Sequence, residues 1–243
     1  MIPTLQRMFL RLIRQISSLV GPMQCIACEA PWSYICRYHR KFLLKHPNLC
    51  YMCHSFSRDC SLCDEHPSSL LKGVIVGFYY TRIVQYCIYQ SKYWWSYQLL
   101  SFFAQQLLYD IYTHPPILSA INHWTLIVSY IPMHWRKEGH IRWYNQAQKL
   151  ASYIASLLWV PCVGLCTKKE HTRTQTTFSR QNRLKNQENK FLYTYDKPLV
   201  PKSTVLVVDD VLTTGATIAS FSEALRSANI DCCVWWLCIA RHG

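Results

Sequence analysis

Apolar runs and apolar stripes alternate along this chain, and the alternation predicts strands separated by helices. Residues 205–208 are an unbroken aliphatic run, Val205-Leu206-Val207-Val208, which reads as a strand buried on both faces. After it, Ile218, Phe221 and Leu225 recur at helical spacing, with Asn229 as the C-terminal stop. Upstream, residues 73–80 (GVIVGFYY) read as a strand and residues 83–93 and 97–112 as helices. His114-Pro115-Pro116 breaks the chain before a second buried strand at 124–131. Residues 144–158 read as a helix, 159–165 as a short apolar strand and 232–240 as a final strand. The fold class that follows is α/β, a mostly parallel sheet wound by helices on both faces.

Three units are expected. Residues 1–24 form an amphipathic helix: Leu5, Phe9, Leu12, Ile13, Ile16 and Leu19 share a face, with Arg7, Arg11 and Arg14 mainly away from it. Packing against the next unit is the reading, with a membrane-surface helix as the alternative. Residues 25–66 are a small ligand-rich domain, and residues 67–243 the main α/β domain, entered through a linker at 67–71. Within it, residues 168–190 are basic and poor in apolar side chains, which suits a mobile loop.

Composition narrows the class. Half of the 243 residues are apolar, with 16 Tyr and 9 Trp, so the chain is globular rather than disordered. No apolar run reaches the roughly 18 residues that span a bilayer. The N-terminus lacks a small-residue cleavage site, and a cytoplasmic location is expected. The formal charge is +13 and unevenly spread: residues 134–190 hold 11 Lys/Arg against 3 acids, residues 191–243 hold 4 against 5. Such a local excess suits polyanions, pyrophosphate or nucleic acid.

Thirteen cysteines in a cytoplasmic chain point to metal rather than disulfides. Four two-residue spacings occur, Cys25/Cys28, Cys36/His39, Cys50/Cys53 and Cys60/Cys63. Each can offer two ligands to one tetrahedral ion, so one or two structural Zn2+ ions are expected. Sequential pairing would use Cys25, Cys28, Cys36 and His39, then Cys50, Cys53, Cys60 and Cys63; a crossed arrangement is the alternative. The all-cysteine quartet is the cleaner signal, because other histidines lie near His39. Cys87, Cys162, Cys166, Cys232, Cys233 and Cys238 sit in apolar runs and read as core.

The stretch Asp209-Asp210-Val211-Leu212-Thr213-Thr214-Gly215-Ala216-Thr217 carries the chemistry. An acid pair at a strand end can accept from vicinal ribose hydroxyls, directly or through Mg2+. Gly215 permits a tight turn, and the helix start behind it aims positive partial charge at an anion. Threonine hydroxyls add donors. A site for both two sugar hydroxyls and a 5-phosphate is a ribose-5-phosphate site. Further cations stand at Lys92, at Arg136 and Arg142 in YIPMHWRKEGHIRWYNQ, and at Arg180 and Arg183 in QTTFSRQNRLKN.

DDVLTTGAT resembles the phosphoribosyl-pyrophosphate (PRPP) signature of type I phosphoribosyltransferases. With the paired cysteines, the Lys92 segment, Ile131 to Gln146 and Gln175 to Asn186 in order, nearly all the chain after Val20 resembles the competence protein F family (ComF, with its GntX-like relatives). It departs from that pattern at Trp143, where the family usually has Gly, and at Trp94-Trp95 after Lys92. The resemblance implies a zinc finger joined to a phosphoribosyltransferase-like domain. It implies that Asp209 and Asp210 hold the ribose hydroxyls, and that Thr213, Thr214, Gly215, Ala216 and Thr217 cradle the 5-phosphate. Arg136, Arg142 and Lys92 would face the pyrophosphate with Mg2+, and Asp209, Asp210 and Arg142 would carry catalysis. It further implies a role in natural competence and DNA uptake, with single-stranded DNA as partner and a competence helicase as the protein it would work beside. Arg173, Arg180, Arg183 and Lys185 are the nucleic-acid candidates. The alternatives are a non-catalytic single-stranded-DNA-binding factor built on the PRPP fold, or a nucleobase-salvage phosphoribosyltransferase.

Overall fold

The structure is a computed structural model, and it describes residues 24–31, 33–47, 70–92, 98–133, 144–169, 190–213 and 215–241. The helix expected over residues 1–24 lies outside the described residues apart from Gln24.

A four-stranded sheet in the order β1-β6-β5-β2 forms the centre, and every pairing in it is parallel. Its strands are β1 (Leu71–Tyr79), β2 (Leu126–Tyr130), β5 (Ser203–Leu212) and β6 (Cys232–Arg241). Val205, Leu206, Val207 and Val208 are all fully buried, as a strand covered on both faces requires. Alternate side chains go to opposite cores. Leu206 and Val208 join the core beneath α2 (Arg82–Gln90), α3 (Leu99–Tyr112), α4 (Pro115–Asn122) and α5 (Gln146–Leu158). Val205 and Val207 join the core beneath α6 (Ala216–Ser227). That second face is also covered by a short antiparallel hairpin, β3 (Cys166–Lys168) with β4 (Phe191–Tyr193), through Cys166 and Phe191. Phe191 meets Phe221 of α6 edge to face at 5.8 Å.

Four local expectations are revised. The break expected at His114-Pro115-Pro116 does end α3 at Tyr112, but the same residues also start α4, with His114 as N-cap and Pro115 in the first turn, where its missing N–H costs nothing. Residues 159–165 do not form a strand. Trp159 is a left-handed C-cap of α5 (φ 57°), and the segment makes one parallel bridge, Val128 to Cys162, flanked by hydrogen bonds to Pro161 O and from Val163 N–H. Pro161 has no N–H to extend the ladder. Cys162 is accordingly exposed rather than core, while Cys87, Cys166, Cys232 and Cys238 are buried and Cys233 half-buried. The loop expected to begin at Lys168 and end at Lys190 has a paired stem: Lys168 stands opposite Phe191, and Lys169 N–H bonds Lys190 O at 2.9 Å.

The N-terminal module touches the main sheet. Tyr79 N–H bonds Leu44 O at 2.9 Å and His46 N–H bonds Gly77 O at 3.1 Å, so residues 44–46 add an antiparallel bridge to the outer edge of β1. Lys45 pairs with Asp110 of α3, and Ile35, which precedes the single-turn helix α1 (Arg37–Arg40), is fully buried in the core under α2 and α3.

Candidate functional site

Parallel strands end together, and the C-terminal end of β5 is where the acid pair lies. Asp209 and Asp210 are half-buried. Asp210 N–H donates to Asp209 Oδ1 at 2.9 Å, and Val211 N–H to Asp210 Oδ1 at 2.8 Å, which fixes both carboxylates against their own strand. Asp209 stands opposite Cys238 of β6, at the rim of the α6 core. Burial, and then the charge of Asp210, push the Asp209 carboxyl well above its usual 3.8, while Lys168 of β3 pulls it the other way. Such a pair is short of donors. Ribose hydroxyls or a hard divalent cation such as Mg2+ supply what it lacks, so these residues fit that ion.

Three residues on, the chain turns. Gly215 is left-handed at φ 73°, a conformation that costs a side-chain-bearing residue, and it caps α6 without a side chain. Thr213 is exposed before the turn and Thr217 half-buried after it. Thr214 lies outside the described residues. Acid pair, left-handed glycine and helix start are therefore consecutive, and the helix N-terminus carries the partial positive charge that favours a phosphate there.

Hydrogen bonds draw the other motif segments to this strand end. Ile131 N–H, just past β2, donates to Val208 O at 3.1 Å, one residue before Asp209. Asn145 Nδ2 donates to Ile131 O at 2.9 Å, while its Oδ1 caps α5 by accepting from Ala147 and Gln148 N–H. Gln146 Nε2 donates to Ile88 O at 3.1 Å and Ser91 Oγ at 2.7 Å, and the Tyr144 hydroxyl donates to Ser91 O. Lys92 follows Ser91. The Lys92 segment, the Tyr-Asn-Gln segment and β5 thus form one continuous hydrogen-bonded path. Lys92 itself points along α2, with Nζ 5.9 Å from the Tyr89 ring centroid. The groove around it is lined by α2 and Tyr80 and does not include the acid pair. Arg136, Arg142, Arg173, Arg180, Arg183 and Lys185 lie outside the described residues. Lys168 is the charged neighbour that the sequence reading missed as such, because a three-residue strand leaves no periodic signal.

A second site is a metal cluster. The ligand atoms of Cys25, Cys28, Cys36 and His39 all lie within 4.8 Å of one another. Cys28 Sγ and Cys36 Sγ are 3.8 Å apart, Cys25 Sγ and His39 Nδ1 3.5 Å, and Cys36 Sγ and His39 Nδ1 3.2 Å. Around zinc, Zn–S and Zn–N bonds of ordinary length set tetrahedral edges of about 3.8 Å between sulfurs and about 3.6 Å from sulfur to nitrogen. The set fits that ion. Burial works against ionisation of Cys25, but backbone hydrogen bonds at Cys36, Ala27 and Cys28 bring its pKa from 9.0 to about 6, toward the thiolate a metal takes. Cys50, Cys53, Cys60 and Cys63 lie outside the described residues, so the quartet the structure assembles is the one containing His39.

Residues 145–242 match the phosphoribosyl transferase domain family. The match opens on Asn145, the cap of α5, and takes in the acid pair and the glycine turn. This chain carries a phosphoribosyl transferase domain. Competence protein F of Haemophilus influenzae is 28% identical over 180 residues, 72% of this chain and 76% of that protein. DNA utilization protein YhgH of Escherichia coli (strain K12) is 27% identical over 90% of this chain and 98% of its own length. The chain is a homologue of both. A solved adenine phosphoribosyltransferase from Thermoanaerobacter pseudethanolicus covers 54% of this chain and 84% of its own at 14% identity and a TM-score of 0.28, too distant an overlay to bear on the fold. The phosphoribosyl transferase domain match leaves out β1 and β2, which the geometry places in the same parallel sheet as β5 and β6. Among the described residues no helix is long and apolar enough to cross a membrane.

Proposed function

We propose that this protein binds PRPP with Mg2+ at the C-terminal end of β5 and acts in the cytoplasm on DNA taken up during natural transformation. The observation that carries the first half is the succession Asp209, Asp210, left-handed Gly215 and α6 inside the matched phosphoribosyl transferase domain. In this reading Asp209 and Asp210 accept from the ribose 2- and 3-hydroxyls, and Thr213, Thr214, Gly215, Ala216 and Thr217 hold the 5-phosphate. Arg136, Arg142 and Lys92 face the pyrophosphate. Bound Mg2+ would neutralise pyrophosphate charge beside the ribose.

Chemistry, where it occurs, is displacement at the anomeric carbon. The acceptor's lone pair forms the new bond, and the carbon–oxygen bond to pyrophosphate breaks with its electron pair leaving on pyrophosphate. In this reading rate enhancement comes from positioning and from charge neutralisation by Arg142 and its neighbours. The enzyme class is a phosphoribosyltransferase.

The second half is supported by the relatives' names, competence protein F and DNA utilization protein, and by the 11 Lys/Arg in residues 134–190. Arg173, Arg180, Arg183 and Lys185 are proposed to meet DNA phosphates, and a competence helicase is the proposed protein partner. Zn2+ on Cys25, Cys28, Cys36 and His39 is structural, since four protein ligands leave no open position.

Calorimetric titration with PRPP, with and without Mg2+, tests the site. Binding that requires Mg2+ and is abolished by Asp209→Asn with Asp210→Asn supports it. Absence of binding to a folded, zinc-loaded sample rejects it.

A further inference from the structure

A mostly apolar hollow of about 450 Å3 lies between the cysteine module and the start of α2. The module contributes Ala27, Phe42 and Leu44 to its wall, and α2 contributes Ile83 and Tyr86. Three of these stand open to solvent: Phe42 is 48%, Leu44 54% and Tyr86 45% exposed. Among the described residues, no Asp or Glu lines the hollow. Single exposed apolar side chains need no explanation, but several that converge from two units on one concavity mark a docking surface.

The start of the chain is tethered beside this hollow. Gln24 bridges Pro31, and Ala27 on the wall is only three residues further on, so the backbone at Gln24 lies within about 11 Å of it. Ahead of Gln24 stand 23 residues with no acid among them. Within them Phe9, Leu12, Ile13 and Ile16 recur at i, i+3, i+4 and i+7, the anchor pattern of an amphipathic helix laid into an apolar groove. Arg7, Arg11 and Arg14 fall mainly on the other side, where they keep their hydration. Gly21-Pro22 ends the helical pattern and lets the chain fold back. A helix of this length is marginal alone in water and takes its stability from the apolar face it buries. A tether of a few residues holds it near the hollow at an effective concentration on the order of mM, so a modest contact affinity suffices.

We propose that residues 1–20 dock as an amphipathic helix in this hollow, with the Phe9, Leu12, Ile13 and Ile16 face against Phe42, Leu44 and Tyr86. The proposal rests on neither the PRPP nor the DNA reading. A helix seated there touches both walls, so it ties the cysteine module to the α/β domain in addition to the Lys45–Asp110 pair. His39 also lines the hollow, and the docked helix would shield that ligand of the metal cluster from solvent.

Limited trypsin digestion of the full-length, zinc-loaded protein reads the docked state, because Arg7, Arg11 and Arg14 are cleavage sites and a packed helix must open before it is cut. Leu44→Asp with Tyr86→Asp places two charges in the hollow at residues already half exposed, and cleavage at the three arginines should become several-fold faster. Tyr109→Asp, at a 73% exposed ring on α3 outside the hollow, should leave the rate unchanged. Leu12→Ser with Ile16→Ser should speed cleavage as much as the hollow pair does, and combining all four changes should add nothing, since both pairs break one contact. Equal cleavage of the parent and the folded, zinc-loaded hollow variant overturns the proposal. Protection that rises with protein concentration overturns it in favour of a second copy. Protection that arises only with anionic phospholipid vesicles overturns it in favour of a membrane surface.

Discussion

Gln146 at the start of α5 donates from Nε2 to Ser91 Oγ at 2.7 Å, although the two lie 55 residues apart. Both are buried, Gln146 at 3% and Ser91 at 0% exposure. The same amide reaches Ile88 O, so one side chain holds the end of α2 against the strand end where the acid pair begins. Gln146→Leu removes both buried bonds and leaves Ile88 O with only the Ser91 hydroxyl as donor, at 2.9 Å. A loss of about 1–3 kcal/mol in denaturant unfolding is expected. PRPP affinity should fall as well, because Lys92 loses the anchor beside it. Unchanged stability and affinity would show that the Ser91 turn is held by other means.

The acid pair sets a pH dependence. Burial and Asp210 raise the folded-state pKa of Asp209 above its usual 3.8. A raised pKa means the folded chain holds this proton more tightly than the unfolded one, so the group's contribution is intact below about pH 4. It is lost as pH rises toward the raised value. Thermal melts of the ligand-free protein should therefore show Asp209→Asn gaining on the parent from acid to neutral pH. Adding PRPP with Mg2+ should reverse the order at neutral pH. Parallel pH curves for the two proteins would contradict the strained pair.

Gly215 tests the phosphate turn. At φ 73° a Cβ is disfavoured, and Gly215→Ala should cost about 1–2 kcal/mol. Relief of that strain by shifting the turn would misplace the start of α6, so PRPP affinity should fall by more than the stability loss alone explains. A binding curve equal to that of the parent would remove the turn from the site.

Metal removal should reach beyond the cysteine module. The module alone would be expected to melt and spare the α/β domain. Ile35 shares its core with Phe78 and Phe103, and Lys45 is bound to Asp110 of α3, which couples the two. A chelator, or Cys36→Ser, should lower the melting temperature of the whole chain in one transition. A melt indifferent to chelation would argue against structural zinc at Cys25, Cys28, Cys36 and His39.

What the sequence made legible follows from how each element hides its surface. β5 is covered on both faces and writes itself as four consecutive aliphatics. The acid pair and Gly215 are legible because each residue type is demanded by chemistry at its own position. β3 and β4 are three residues each, too short for any period to emerge, and so the pattern alone puts Lys168 at the edge of a loop. Pro115 marks the end of α3 in the pattern but not the start of α4, because a proline opens a helix and ends one with the same residue. The hydrogen bonds of Asn145 and Gln146, which assemble the site, connect residues far apart in sequence and leave no local pattern. His39 was the weaker ligand candidate on paper, since only the folded knuckle shows which histidine meets the three sulfurs.

Residues 44–46 lie along the outer edge of β1, the flank of that strand that β6 does not occupy. An open strand edge offers unpaired amides and carbonyls to any passing chain. Here that flank is closed near Phe78 by a segment whose position depends on the cysteine cluster a few residues before it. Metal starvation would then do more than cost stability: it would uncover a hydrophobic template strand, and the first symptom in the cell would be self-association of this protein rather than its unfolding.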